Sequence, residues 1–127
     1  MNKTIERTAL SNLLGNSDYA KKVLPFIKGD YFDVREEKII FEEISNFVDK
    51  YKKIPTQTSL EIEVGERKDL TETEHNKIVE IIKTLNPEEV DMDWLVDTTE
   101  KFCKDKAIYN AIVEGISIID GKDKDKT

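Results

Sequence analysis

Apolar residues recur along this chain at three- and four-residue intervals, the period of helices buried on one side. Ile5, Ala9, Leu10, Leu13 and Leu14 form the first such set, and Gly15-Asn16 ends it. Ser17 or Asp18 can cap a second helix carrying Tyr19, Val23, Leu24 and Ile27, which Pro25 kinks or ends. Gly29-Asp30 reads as a turn. Asp33, with Glu36 three residues on, makes a capping-box variant that opens a third helix. That helix runs to about Lys53 and carries Ile40, Ile44, Phe47, Val48 and Tyr51 on one face.

Ile54-Pro55-Thr56 breaks the period. Leu60, Ile62 and Val64 then alternate with Glu61 and Glu63, which locally reads as a strand. Thr58 with Glu61 is a capping box that argues for a helix. A lone strand would have no partner, so helix is the preferred reading. Thr71 with Glu74 opens a further helix bearing Ile78, Val79, Ile82 and Leu85, stopped by Asn86-Pro87. The pattern predicts an all-α fold, with a helical bundle over residues 1–90.

The segment Asp91–Asp120 differs from these. It contains no proline and one interior glycine, Gly115, and either Asp91 or Asp93 can cap it. Leu95, Phe102, Tyr109 and Ile116 recur every seven residues, with Ile112 and Ile119 beside them, so all six fall near one seam of a single helix. At 1.5 Å per residue that helix reaches about 45 Å. Its second half (Ala107, Ile108, Ala111, Ile112, Val113, Ile116, Ile118, Ile119) is apolar almost all round and needs covering on several sides. Trp94, Leu95 and Phe102 can fold the first half onto the bundle. No second long helix precedes the end of the given sequence to cover the rest. The expected architecture is therefore a bundle (1–90), one long arm (91–120) and a charged linker or tail (121–127). The expected self-contact surface is Phe102, Tyr109, Ile112, Ile116 and Ile119. The competing reading is ordinary core, with the arm folded back on its own bundle.

Composition narrows the function. Of 127 residues 37% are charged and 38% apolar, which suits a thin core under a heavily solvated surface. Twenty basic against 27 acidic residues leave −7, a poor balance for general nucleic-acid binding. Lys50, Lys52 and Lys53 form the one concentrated basic patch: a solvated helix end, with weak nucleic-acid contact as the alternative. The single cysteine, Cys103, excludes an intrachain disulfide and a cysteine-based zinc site. No signal peptide or membrane span is visible, so a cytoplasmic setting is expected.

Catalytic chemistry is hard to find. Gly115 to Asp123 is the nearest match to a phosphate loop, but it is one residue too long and has Asp123 where Ser or Thr would hold magnesium. The sole histidine, His75, sits at the start of a helix as a solvated residue. Paired acids (Glu36-Glu37, Glu42-Glu43, Glu88-Glu89) suit capping and solvation better than acid–base work. No catalytic residue, cofactor site or metal site is assigned, and the segment is not expected to be an enzyme by itself.

Particular residues do carry a resemblance. Tyr31-Phe32, Arg35, Ile40-Phe41, Ile44, Tyr51, Lys53-Ile54-Pro55-Thr56 and Ser59-Leu60 resemble, in order and spacing, the N-terminal domain of DnaB-type replicative helicases. Trp94-Leu95-Val96, Glu100 to Cys103, Asp105-Lys106-Ala107 and Tyr109-Asn110-Ala111 are similar to the helicases of T-even-type bacteriophages within that family, as are Lys21-Lys22-Val23 and Pro25. The resemblance implies a hexameric ring that moves along single-stranded DNA with ATP and magnesium. Its motor would lie beyond this segment. It implies a bundle plus a helical hairpin, of which 91–120 is the first arm, with hairpins of neighbouring subunits packed into one tier of the ring. It further implies docking of a primase and, in some systems, a helicase loader. The alternative function is a stand-alone acidic helical adaptor, loader or inhibitor, motivated by the net charge of −7.

Overall fold

A computed structural model describes the backbone of residues 4–125 and the side chains of residues 4–117. Among the described residues there are six α-helices and no strand. They are α1 (Ile5–Gly15), α2 (Ser17–Val23), α3 (Arg35–Tyr51), α4 (Gln57–Gly65), α5 (Glu72–Thr84) and α6 (Met92–Asp125), with a 3-10 turn at Gly29–Tyr31 between α2 and α3. The fold is all-α, a bundle followed by one long helix.

Local chemistry sets most boundaries. Thr4 caps α1 by accepting from the Arg7 amide at 3.2 Å. Asn16 serves two helices: its N–H donates to the Asn12 carbonyl, closing α1, and its Oδ1 accepts from the Tyr19 amide at 3.0 Å, opening α2. The cap is thus one residue before Ser17 and Asp18, because the chain turns within a single residue. Thr71 and Glu74 form the expected reciprocal capping box on α5. On α4 the box is Thr56 with Ser59 rather than Thr58 with Glu61, and α4 is helical where strand and helix competed in the sequence. The expected cap at Asp33 is absent. Val34 occupies the cap position of α3 with no side-chain bond, and Asp33 instead pairs with Lys106 across the fold.

The core lies where α3 meets α1, α4 and α5, and where the first half of α6 meets α1, α2 and the 3-10 turn. Leu10, Leu13, Tyr19, Val23, Ile40, Ile44, Leu60, Ile78, Ile82 and Leu95 are fully buried there. Burying each large aliphatic side chain contributes about 1.5–3 kcal/mol in transfer terms. The apolar face expected on α3 divides: Ile40 and Ile44 are core, Phe47 and Val48 are half-buried, and Tyr51 is exposed. Gln57 closes the end of α5, donating from Nε2 to the carbonyls of Ile82 (3.1 Å) and Leu85 (2.8 Å). These two bonds seat α4 against α5.

Asp91 opens α6 by accepting from the Trp94 amide at 2.9 Å. The helix runs on through Gly121 to Asp125, past the point where the tail was expected to begin. A glycine weakens a helix by only about 1 kcal/mol and does not by itself stop one.

The exposed face of the long helix as candidate site

Two stripes run along α6 and they do not coincide. The inner stripe is Leu95, Thr99 and Cys103, buried at four-residue steps, with Met92, Val96 and Phe102 half-buried at its edges. Thr99 is fully buried and its Oγ1 donates to the Leu95 carbonyl at 2.7 Å. The Tyr19 hydroxyl reaches the same Oγ1 at 2.7 Å. Burial pushes the Tyr19 phenol up to about 12, and burial with Glu100 nearby pushes the Cys103 thiol up to about 11. Both groups are held neutral.

One turn further on, apolar contact gives way to polar contact. Lys106 Nζ lies 2.6 Å from Asp33 Oδ1, and Asn110 Nδ2 donates to the Asp30 carbonyl at 3.0 Å. The Lys106 ammonium also sits 5.3 Å over the Tyr109 ring. Asp30 lies within the 3-10 turn and Asp33 two residues after it, so among the described residues this short segment is the last part of the bundle that α6 meets through a hydrogen bond.

Beyond Asn110 the described side chains of α6 are exposed, Gly115 excepted. Tyr109 (59%), Ile112 (58%), Val113 (43%) and Ile116 (55%) form the outer stripe. At 100° per residue these four fall within an arc of about 100°, its centre displaced from that of the inner stripe by roughly 90°. Ile108, 61% exposed, stands about 40° from Ile112, at the edge of this row away from the inner stripe. Single exposed apolar residues are ordinary, whereas a contiguous row on one helix is a candidate contact surface.

Of the five residues expected to form that surface, Tyr109, Ile112 and Ile116 lie on this row. Phe102 does not. It is half-buried and meets Phe32 edge-on, with centroids 6.4 Å apart. Phe32 in turn stacks on Phe41 at 5.2 Å, so Phe102 belongs to the chain's own core. A seven-residue repeat drifts about 20° per heptad on a straight helix. The seam drawn from Leu95 therefore begins on the bundle and ends facing out. The Ile119 side chain lies outside the described residues. Val113 was visible in the apolar half of the helix but not assigned to the surface. Trp94, expected to help seat the arm, is 54% exposed, since it sits one residue and 100° from Leu95.

The other sequence candidates are dispersed. Lys50, Lys52 and Lys53 are exposed. Lys50 places its ammonium 5.2 Å over the Tyr51 ring, and Lys52 closes α3 in the left-handed conformation, φ 59° and ψ 27°. His75 is half-buried on α5. Among the described residues no group of three His, Cys, Asp or Glu side chains is placed to hold a metal ion, and no helix is long and apolar enough to cross a membrane.

Comparison with known proteins adds the family. Residues 1–91, the whole bundle up to the start of α6, match the family model of the DnaB-like helicase N terminal domain. The chain is 32% identical over 109 residues to a DnaB-like replicative helicase of Enterobacteria phage T4. That alignment covers 86% of this chain and 23% of the relative, so the chain spans about a quarter of the protein it resembles. The chain belongs to the DnaB-like helicase N-terminal domain family.

Proposed function

We propose that this chain is the assembly and partner-docking domain of a phage replicative DNA helicase, acting in DNA replication in the host cytoplasm. One observation carries the reading: Tyr109, Ile112, Val113 and Ile116 form an apolar row that the chain's own bundle leaves exposed. Full burial of each against a neighbouring helix is worth about 1.5–3 kcal/mol before association costs are subtracted. Helices of other copies are the natural cover, and several such contacts would build one tier of a ring. Primase and helicase loader are the partners such a tier would present its bundles to. ATP and magnesium would belong to a motor outside these residues, so no hydrolysis is assigned to the domain. DNA contact through Lys50, Lys52 and Lys53 would be weak at net charge −7.

Analytical ultracentrifugation tests the reading. The chain should self-associate with rising concentration. Ile112→Asp with Ile116→Asp should leave it monomeric while circular dichroism stays helical and thermal unfolding stays cooperative. A parent chain that remains monomeric at millimolar concentration, or a variant that associates as the parent does, would remove α6 as the contact surface.

A further inference from the structure

Glu43, Phe47 and Tyr51 lie four residues apart and form one ladder along the second half of α3. The Phe47 and Tyr51 ring centroids are 4.7 Å apart. Phe47 is half-buried and Tyr51 is 46% exposed. With Asn46, Lys50 and Glu63 of α4 they line a hollow of about 70 Å³ between the two helices. Small-molecule pockets begin near roughly 300 Å³, so the hollow suits the head of one side chain rather than a nucleotide or cofactor.

The charge around this hollow is unbalanced. The Glu43 side chain is only 13% exposed, and its cation, Arg67, stands 3.8 Å away. Arg67 directs its better-placed donors elsewhere, Nε to Asp69 Oδ1 at 3.0 Å and Nη2 to Asp69 Oδ2 at 2.8 Å. Burial lifts the Glu43 carboxyl above the usual carboxylate range despite Arg67, and Glu63, Glu42 and Asp69 add to the lift. Glu63 makes no ion pair among the described residues. The open face of Tyr51 already receives one cation, Lys50, at 5.2 Å. Two neighbouring rings and two carboxylates lining one hollow are the complement of a side chain with an apolar stem and a flat, delocalised positive head.

We propose that the groove between α3 and α4 docks a basic segment of a partner protein, which lays one arginine into the hollow lined by Phe47, Tyr51, Glu43 and Glu63. Arginine fits better than lysine because its planar guanidinium stacks on a ring while its fork reaches two carboxylates. Lys50 swings aside to admit it. The inference deepens the partner-docking part of the reading above and rests on it, but its test needs no self-association.

The probe is the tripeptide Ac-Leu-Arg-Leu-NH2, titrated into the full ¹⁵N-labelled chain and followed by amide chemical shifts. Saturable shifts should centre on Glu43, Phe47, Tyr51 and Glu63. Tyr51→Ser, at an exposed ring, and Glu63→Gln, at a half-buried carboxylate, should each weaken binding roughly tenfold, as expected for loss of one desolvated cation contact. The norleucine peptide, which keeps an apolar stem but lacks the charged head, should bind correspondingly less well. Equal binding of the two peptides, unchanged binding in both variants, shifts centred elsewhere, or no saturable shift would each overturn the proposal. The Ile112→Asp, Ile116→Asp chain should bind the peptide like the parent. Loss of peptide binding and loss of self-association are thus separate results.

Discussion

The hydroxyls of Tyr19 and Thr99 meet at 2.7 Å with both side chains fully buried, and this bond ties α2 to α6. Thr99 Oγ1 already donates its proton to the Leu95 carbonyl, so Tyr19 is the donor in the pair. Thr99→Val leaves a buried phenol without an acceptor and should cost about 1–3 kcal/mol. Tyr19→Phe leaves Thr99 bonded to its own helix and should cost about 1 kcal/mol. Chemical denaturation of the double variant should show less than the sum of the two losses, since one bond underlies both.

Alkaline pH should destabilise the same region. An unfolded tyrosine ionises near 10.0, whereas buried Tyr19 keeps its proton to about 12. Its contribution is complete below pH 10 and is lost as pH rises to about 12. Cys103, ordinarily near 9.0 and held at about 11, adds a loss that starts near pH 9. The thermal midpoint should therefore fall steadily from pH 9 to pH 12. Tyr19→Phe should flatten the upper part of that fall, and Cys103→Ala the lower part.

Gly15 ends α1 against Pro87. A Cβ there would lie 2.2 Å from Pro87 Cγ and 2.8 Å from Pro87 Cβ, and a proline ring cannot swing away. Gly15→Ala should therefore destabilise by about 1–3 kcal/mol despite alanine's higher helix propensity. Adding Pro87→Gly should recover most of the loss. A stabilised Gly15→Ala chain in urea denaturation would show that the Asn86-Pro87 link does not pack on α1.

Lys52 holds φ 59° to end α3, a conformation that costs a side-chain-bearing residue roughly 1–2 kcal/mol. Lys52→Gly removes that strain while freeing the unfolded chain, for a net gain of about 0.5–1 kcal/mol. Lys52→Val should lose stability, because a branched Cβ fits the left-handed region worst. Denaturation midpoints of the two variants should move in opposite directions.

Glu37 is buried on α3 and pairs with Arg7 of α1. Arg7→Met should cost about 2 kcal/mol at neutral pH, chiefly by leaving the carboxylate without its cation. Arg7→Met with Glu37→Leu should regain most of that, since apolar packing can replace a buried pair. If Arg7→Met unfolds at the parent's urea midpoint, the pair holds nothing.

The helices were legible in the sequence because their signals are local. Thr71 and Glu74 cap α5 within one turn, and Gly15-Asn16 closes α1 through backbone geometry that needs no distant partner. Even Leu60 to Val64, which alternate as in a strand, resolve to helix on the absence of any second alternating segment to pair with. Two caps fell one or two residues from the expected position, Asn16 on α2 and Thr56 on α4, while the cap expected at Asp33 was lost to a contact across the fold. Asp33 has the right spacing to Glu36, yet Lys106, 73 residues away, takes its carboxylate. The hollow beside Tyr51 went unread for the same reason, as Glu63 lies on another helix and no spacing rule links it to Glu43.

By itself, then, the amino-acid order specified an all-helical chain with one long apolar-rich arm, because periodicity and capping act over a few residues. Only the folded arrangement decided which side of that arm faces its own bundle. Phe102 and Tyr109 stand two turns apart in one repeat, but Phe102 meets Phe32 while Tyr109 is left in solvent. A helix turns by 100° per residue whatever its sequence, and the bundle covers just one side of it for a limited length.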